Sequence, residues 1–143
     1  HSFPTRRSSD LLGGCIRYNR EDTYQYTEKE MRRRARKLWF KAHRAGGIDL
    51  LLTHAPAKGL NDGGDKAHVG FETFNGLLED YQPKWFVHGH VHLNYDAKLP
   101  RVCTHGRTTV INATERYLFE IPDPDPTAQR KFFWKNPAFT TEN

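Results

Sequence analysis

Residues 84–92 read KWFVHGHVH, a short apolar run that leads into three histidines within five positions. The run has the length of a buried strand. A similar run, IDLLLT at 48–53, ends at His54. Between the two, residues 70–81 place apolar side chains at helical spacing and are followed by Pro83. This order predicts a βαβ unit in an α/β fold, with two parallel strands joined by a right-handed crossover.

The histidines are expected at one edge of the predicted sheet, because ligands bind beyond the carboxyl ends of parallel strands. His54 follows the first strand, and His90 and His92 follow the second. Residues two apart in an extended segment project to the same side, so His90 and His92 suit two metal ions about 3.5 to 4 Å apart. Gly89 is expected to let the backbone turn closely beneath the site. His88 either orients a metal ligand or packs in the core.

Three imidazoles do not complete a site for two metal ions, because divalent cations also favour carboxylate ligands, one of them bridging. The candidate carboxylates are Asp62, Asp65, Asp96, Asp123 and Asp125. None of them follows a predicted strand in the way the histidines do. The residues alone therefore predict a metal site that is incomplete.

LLLTHAP around His54 and GHVH at 89–92 resemble the last two of five ordered motifs in the calcineurin-like metallophosphoesterases. The five are Asp-x-His, Gly-Asp-x-x-Asp, Gly-Asn-His-Asp/Glu, a lone His after a strand, and Gly-His-x-His. Three further segments are also similar to bacterial members, namely LGGCIRYN, QYTEKEMRRR and TTVINA. The resemblance therefore covers about residues 12–121. The first three motifs are absent from this sequence.

The resemblance implies a metal-dependent phosphoester hydrolase with two divalent ions such as Mn, Fe or Zn. His54 and His90 would bind one ion and His92 the other, and a metal-bridging hydroxide would attack the phosphoester substrate. The bridging Asp, an Asn ligand and the His that acts on the leaving group belong to the absent motifs, so the catalytic residues are unknown. His68 is a candidate substrate contact, although solvation of a surface loop is the simpler explanation.

The resemblance also implies a fold, an incomplete β-sandwich flanked by helices (αββα). Residues 1–11, HSFPTRRSSDL, match one reading frame of a common sequencing-adapter oligonucleotide, so we interpret them as a non-native scar outside the fold. Residues 12–121 would then be the C-terminal part of a phosphoesterase domain, and 122–143 a linker and tail. Such a fragment is expected to be inactive alone, with strands that lack neighbours and an apolar sheet face exposed.

Two further elements follow from local patterns. Thr27 and Glu30 form a Thr-x-x-Glu capping box that begins a helix, and Gly46 and Gly47 end it. Its apolar stripe is Met31, Ala35, Leu38, Trp39 and Ala42. Beyond the βαβ unit, residues 108–113 and 116–121 alternate like a C-terminal hairpin turned at 114–115.

Composition fits one globular domain of 143 residues, with 36% hydrophobic residues and a formal charge of +5. No apolar stretch has the length of a membrane span. Cys15 and Cys103 have no partner at metal or redox spacing, which favours a reducing, cytoplasmic compartment.

Two alternatives remain open. A mononuclear zinc hydrolase would use the three histidines and an open water position. A nucleic-acid-binding module would use the basic helix at 27–45, although no aromatic residue is expected on its arginine-rich face, which favours plain solvation.

Overall fold

The computed structural model describes residues 9–21, 23–93 and 99–122, with residues 9 and 10 described through their backbone. Most of the proposed scar, Asp96 and the proposed tail from residue 123 onward lie outside these ranges. The strands are β1 (Ser9–Leu12), β2 (Cys15–Ile16), β3 (Gln25–Tyr26), β4 (Leu50–Thr53), β5 (Trp85–His88), β6 (Val102–His105) and β7 (Thr108–Asn112). The helices are α1 (Glu28–Ala45) and α2 (Glu72–Tyr81).

Five strands form one mixed sheet in the order β1, β4, β5, β7, β6. The first three pairs are parallel, and β6 pairs antiparallel with β7. The short strands β2 and β3 form a separate parallel pair. The predicted βαβ unit is confirmed, because α2 connects the adjacent parallel strands β4 and β5. The α/β class is therefore correct.

The capping box of α1 is present as predicted. The Thr27 hydroxyl accepts a hydrogen bond from the Glu30 backbone N–H, and the Glu30 carboxylate accepts one from Thr27. At the other end, Gly46 adopts the left-handed conformation with φ 84°, which glycine reaches at little cost. Four residues of the predicted stripe are buried, namely Met31, Ala35, Leu38 and Ala42, and Trp39 is half-buried. Local sequence signals therefore define this helix at both ends.

The hydrophobic core lies between the two helices and one face of the sheet. Three residues that lie side by side on neighbouring strands pack there against Phe74 and Leu77 of α2, namely Leu51, Phe86 and Val110. Since side chains alternate between the faces of a strand, the neighbouring positions project to the opposite face. The helices therefore cover one face of the sheet.

The opposite face carries a transverse row of apolar residues that face one another in register, Leu11, Leu52, Val87, Ile111 and Val102. Val87 and Ile111 are buried, but Leu11, Leu52 and Val102 are 68%, 40% and 41% exposed. The expected exposed apolar face is thus present towards both edges of the sheet. The expectation that the strands lack neighbours is wrong, since β4 and β5 are each paired on both sides.

One of those neighbours begins inside the proposed scar. The backbone of residues 9–12 pairs in parallel with residues 50–53, so the fold includes positions 9–11, which the sequence interpretation excluded. Parallel pairing uses backbone groups that nearly every residue carries. A strand at this position therefore places few demands on its sequence.

The C-terminal hairpin lies earlier in the chain than predicted. Its strands are β6 and β7, turned at Gly106, which has a φ of 58°. Residues 113–122 contain no strand, so the predicted pairing of 108–113 with 116–121 is wrong. Residues 116–121 form no strand despite their alternation, whereas β7 is fixed by its parallel pairing with β5. Neither described helix has the length and apolar character needed to cross a membrane.

Asp80 in α2 makes the stability of this fold depend on pH. The residue is 7% exposed, and burial, followed by the nearby Glu79 charge, raises its pKa from the usual 3.8 to about 6. The native state therefore keeps a proton that the unfolded chain releases between about pH 4 and 6. Stability falls as the pH rises through this window.

We expect Asp80→Asn to stabilise the protein at pH 8, by on the order of 2 kcal/mol, and to have little effect below pH 4. The gain is smaller than the full pKa shift would give, because the carboxyl group keeps some contact with water. Urea denaturation from pH 4 to 8 measures it, with the exposed Glu72→Gln as the control. An equal effect of Asp80→Asn at every pH would contradict this account.

Candidate metal centre

Backbone hydrogen bonds continue the sheet one residue beyond its strands and align the loops that carry the histidines. The His54 N–H donates to the Leu12 carbonyl oxygen at 3.1 Å, and the Gly89 N–H donates to the His54 carbonyl oxygen at 3.0 Å. On the other side of β5, the Ala113 N–H donates to the His88 carbonyl oxygen at 2.7 Å. The segments after β4, β5 and β7 therefore leave the sheet side by side, as expected for a binding edge.

His54 and His90 meet at this edge, as the sequence predicts. His54 Nε2 lies 3.0 Å from His90 Nδ1, and the ring centroids are 4.8 Å apart. His90 Nε2 lies 2.7 Å from the carbonyl oxygen of Ala67. Because a carbonyl oxygen only accepts, Nε2 carries the proton of the neutral ring and Nδ1 presents its lone pair to His54. The backbone of Ala67 thus fixes the His90 tautomer that suits metal binding.

The spacing of the two nitrogens fits a shared ion. Two imidazole nitrogens bound about 2.0 to 2.1 Å from a tetrahedral ion lie about 3.3 Å apart, close to the distance between His54 Nε2 and His90 Nδ1. The pKa of His54 is lowered, first by burial and then by the nearby His90. A lowered pKa keeps the imidazole neutral, which is the form that binds metals.

His90 adopts an unusual backbone conformation. Its φ is 67°, and the Val91 N–H donates to the Gly89 carbonyl oxygen at 2.8 Å, which closes a γ-turn centred on His90. The segment is therefore not extended, and the argument that His90 and His92 project to the same side does not hold. A non-glycine residue in such a turn is strained by about 1 to 3 kcal/mol. The close turn is made by His90 and not by Gly89.

Two polar residues at the end of β7 and just beyond it hold this turn in place. The buried Asn112 donates through Nδ2 to the Val91 carbonyl oxygen at 2.8 Å, and the Thr114 hydroxyl lies 3.0 Å from the same oxygen and 2.6 Å from Asn112 Oδ1. Asn112 Oδ1 in turn accepts from the Thr114 backbone N–H at 3.0 Å. Sequence reasoning missed both roles. The signal was a polar Asn directly after the apolar pair Val110 and Ile111.

His68 lies beside His90, where the sequence placed a candidate substrate contact. Their ring centroids are 5.1 Å apart. The Asp65 carboxylate lies 2.8 Å from His68 Nδ1 and also accepts the His68 backbone N–H at 2.9 Å. The hydrogen bond from the His68 side chain is the largest cause of the lowered pKa of Asp65. Asp65 therefore orients His68, a role that the sequence did not indicate.

The loop that carries His68 is closed at its base. Phe71 donates to the Pro56 carbonyl oxygen at 3.1 Å, and the Phe71 carbonyl accepts from Lys58 at 3.2 Å. Asp62 accepts the Gly70 N–H at 3.1 Å, which braces the loop from within. Asn61, in the same loop, donates to the Pro100 carbonyl oxygen at 2.8 Å. Closure of the base keeps Ala67 and His68 next to His90.

The other two histidines are placed differently. His92 is exposed, and no group of three or more His, Cys, Asp or Glu side chains positioned to hold an ion occurs within residues 9–21, 23–93 and 99–122. His88 is buried in the core against Phe86, with a ring separation of 5.5 Å. Burial is the main cause that lowers the pKa of His88 to about 4. His88 therefore packs in the core, with Nδ1 3.1 Å from the Gly89 carbonyl oxygen and with Nε2 buried without a hydrogen-bond partner among the described residues.

Comparison with protein-family models, with curated proteins and with solved structures finds no match for this chain. The metallophosphoesterase resemblance therefore remains a prediction from the motifs, and the geometry of the site stands by itself.

We expect Gly70→Ala to destabilise the protein by about 2 kcal/mol or more, whereas Gly89→Ala changes stability little. A Cβ atom at residue 70 would lie 2.5 Å from the Ala57 carbonyl oxygen and 2.6 Å from the Lys58 nitrogen. At residue 89 the nearest atoms are the His54 carbonyl oxygen and the Thr114 hydroxyl, at 3.7 and 3.8 Å. Urea denaturation of both variants measures the difference. Equal destabilisation would refute the role assigned to each glycine.

The strain at His90 gives a second stability test. His90→Gly is expected to be more stable than His90→Ala by about 1 kcal/mol, because glycine tolerates a positive φ. At His92, whose φ is not positive, the order should reverse, since glycine only adds freedom to the unfolded chain. Thermal denaturation of the four variants provides the comparison. The same order at both positions would show that residue 90 is not strained.

Proposed function

We propose that the edge formed by His54, His90 and His68 is the histidine-bearing part of a metal-dependent phosphoester hydrolase site. The observation that carries the proposal is the 3.0 Å approach of His54 Nε2 to His90 Nδ1, with the His90 tautomer fixed by Ala67. The neutral rings of His54 and His90 would hold one divalent ion. His92 would contribute to a second ion, as the resemblance to metallophosphoesterases implies.

Two nitrogens are fewer than the four ligands that a zinc ion takes or the six of a harder cation. Carboxylate ligands from outside residues 9–21, 23–93 and 99–122 would complete the site. The exposed apolar row on the second sheet face supports this view, because a second sheet packed there would form the αββα sandwich. When bound, the divalent ions would supply positive charge that polarises a phosphoester.

The chain's own residues would bind and orient the substrate. The ring of His68, held through Nδ1 by Asp65, lies with its centroid 5.1 Å from that of His90, so a phosphate oxygen beside the ion would lie near it. The carbonyl of Ala67 keeps the His90 ring from rotating, and the closed loop base holds all three groups together. Asp65 acts through His68 and is a positioning residue.

Calorimetric titration of the full chain with Zn²⁺ and Mn²⁺ tests the metal part of the proposal. We expect His54→Ala and His90→Ala each to weaken binding of the first ion tenfold or more, and His105→Ala, an exposed histidine on β6, to leave it unchanged. His92→Ala distinguishes the alternatives. A loss at the first ion as large as that of His90→Ala would favour the mononuclear zinc site with three histidines.

Inorganic phosphate tests the phosphoester part. It should tighten metal binding and bind only the metal-loaded chain, because the two affinities are reciprocally coupled. His68→Ala should reduce this coupling while the affinity for metal alone stays unchanged. Wild-type metal affinity in both His54→Ala and His90→Ala would overturn the site, and phosphate without effect on metal binding would overturn the phosphoester assignment.

A further inference from the structure

The exposed face of α1 is strongly basic. Seven cationic side chains on it are exposed: Lys29, Arg32, Arg33, Arg36, Lys37, Lys41 and Arg44. The ion pairs within residues 9–21, 23–93 and 99–122 involve other side chains, Arg17 with Glu30 and His68 with Asp65. No acidic residue occurs between residues 31 and 45. The positive charge of this face is therefore not neutralised by the helix that carries it.

The two glutamates at the start of α1 are already engaged. Glu28 accepts the Thr73 backbone N–H at 2.6 Å and the Glu72 N–H at 3.2 Å, at the start of α2. Glu30 completes the capping box and pairs with Arg17 at 3.1 Å. Neither carboxylate reaches the basic face, so the charge remains available to an anionic partner.

An aromatic side chain lies in the middle of this face, which corrects the sequence expectation that it carries none. Phe40 is 65% exposed, and residues 29, 33, 36, 40 and 44 follow one another at helical spacing along one side of α1. Trp39 meets the Phe40 ring edge-on at 5.1 Å and stacks on His43 at 5.4 Å. Phe40 is thus a braced aromatic surface flanked by arginines.

We propose that the exposed face of α1 binds single-stranded nucleic acid. Arginine forks and lysine ammonium groups would contact successive phosphates along the helix, and an unpaired base would stack on Phe40. This combination of a positive track with an exposed aromatic ring binds single strands with little sequence preference. The face is distinct from the histidine edge, so the proposal does not depend on the proposed function.

The same charges would attract an anionic membrane, but α1 has no apolar face to insert. Its apolar stripe, Met31, Ala35, Leu38 and Ala42, is at most 7% exposed and belongs to the core. A helix that lies in a membrane interface needs a broad exposed apolar face, and Phe40 alone does not provide one. The phosphates of a double-stranded nucleic acid would also pair with these cations, but its bases are stacked on one another and none would be free to stack on Phe40.

Fluorescence anisotropy with a labelled 20-nucleotide oligo(dT) tests the proposal on the full chain, at 50 to 200 mM KCl with EDTA present. Log Kd should change linearly with log salt concentration. Arg33→Glu/Arg36→Glu should weaken binding at 100 mM salt about 20-fold or more, at roughly fivefold per lost phosphate contact, and reduce the salt slope by about 1.4. Arg107→Glu/Arg116→Glu, an equal charge change at exposed positions near the hairpin, should change affinity much less.

Phe40→Ala should weaken oligo(dT) binding about fivefold or more without changing the salt slope, because stacking does not release counterions. His54→Ala should bind oligo(dT) like the wild type, which separates this surface from the metal site. Circular dichroism melts establish that each variant is folded.

Three results would overturn the proposal. The first is equal weakening by the two pairs of charge reversals, which would show only a response to net charge. The second is tighter binding to a 20-base-pair duplex than to oligo(dT). The third is binding to vesicles of phosphatidylcholine with phosphatidylserine, lost in Arg33→Glu/Arg36→Glu, without measurable binding to oligo(dT).

Discussion

The backbone hydrogen bonds of His54 determine where the candidate site can form. Its N–H donates to the carbonyl oxygen of Leu12, the last residue of β1, and its carbonyl oxygen accepts the N–H of Gly89 after β5. A residue held on both sides by neighbouring strands has little freedom in its backbone, so its ring must leave the sheet at the edge where β5 ends. Parallel pairing, rather than any feature of the imidazole, therefore brings His54 to His90.

His90 needs a different constraint, because its own backbone is strained. The γ-turn at Gly89, His90 and Val91 would relax if the Val91 carbonyl were released. Asn112 binds that carbonyl from the end of β7, where its pairing opposite His88 fixes it, and the Thr114 hydroxyl contacts the same oxygen. The sheet that positions His54 thus also holds His90 in its strained conformation. Strain of this kind is typical of functional sites, where the surrounding structure over-determines one conformation.

The sequence predicted the elements whose signals lie in neighbouring residues, and it failed for features that depend on tertiary contacts. The capping box at Thr27 and the left-handed stop at Gly46 depend on neighbouring residues, and both are confirmed. The apolar runs around α2 also sufficed to predict the βαβ unit. The hairpin was misplaced because β6 is short and polar, while residues 116–121 alternate without a partner. The support of the His90 turn by Asn112 and the contact of the His90 ring with Ala67 depend on contacts between segments distant in sequence.

Glu28 connects the basic face of α1 to the loop beside the histidine edge. Its carboxylate binds the first N–H groups of α2, where positive partial charge accumulates, and so ties the start of α1 to the end of the loop that holds His68. The basic face of α1 therefore begins near the histidine edge and extends away from it. Uncompensated positive charge beside a site raises the local concentration of anions. A phosphorylated ligand would approach the histidine edge more readily for that reason, even if no part of it contacted the helix.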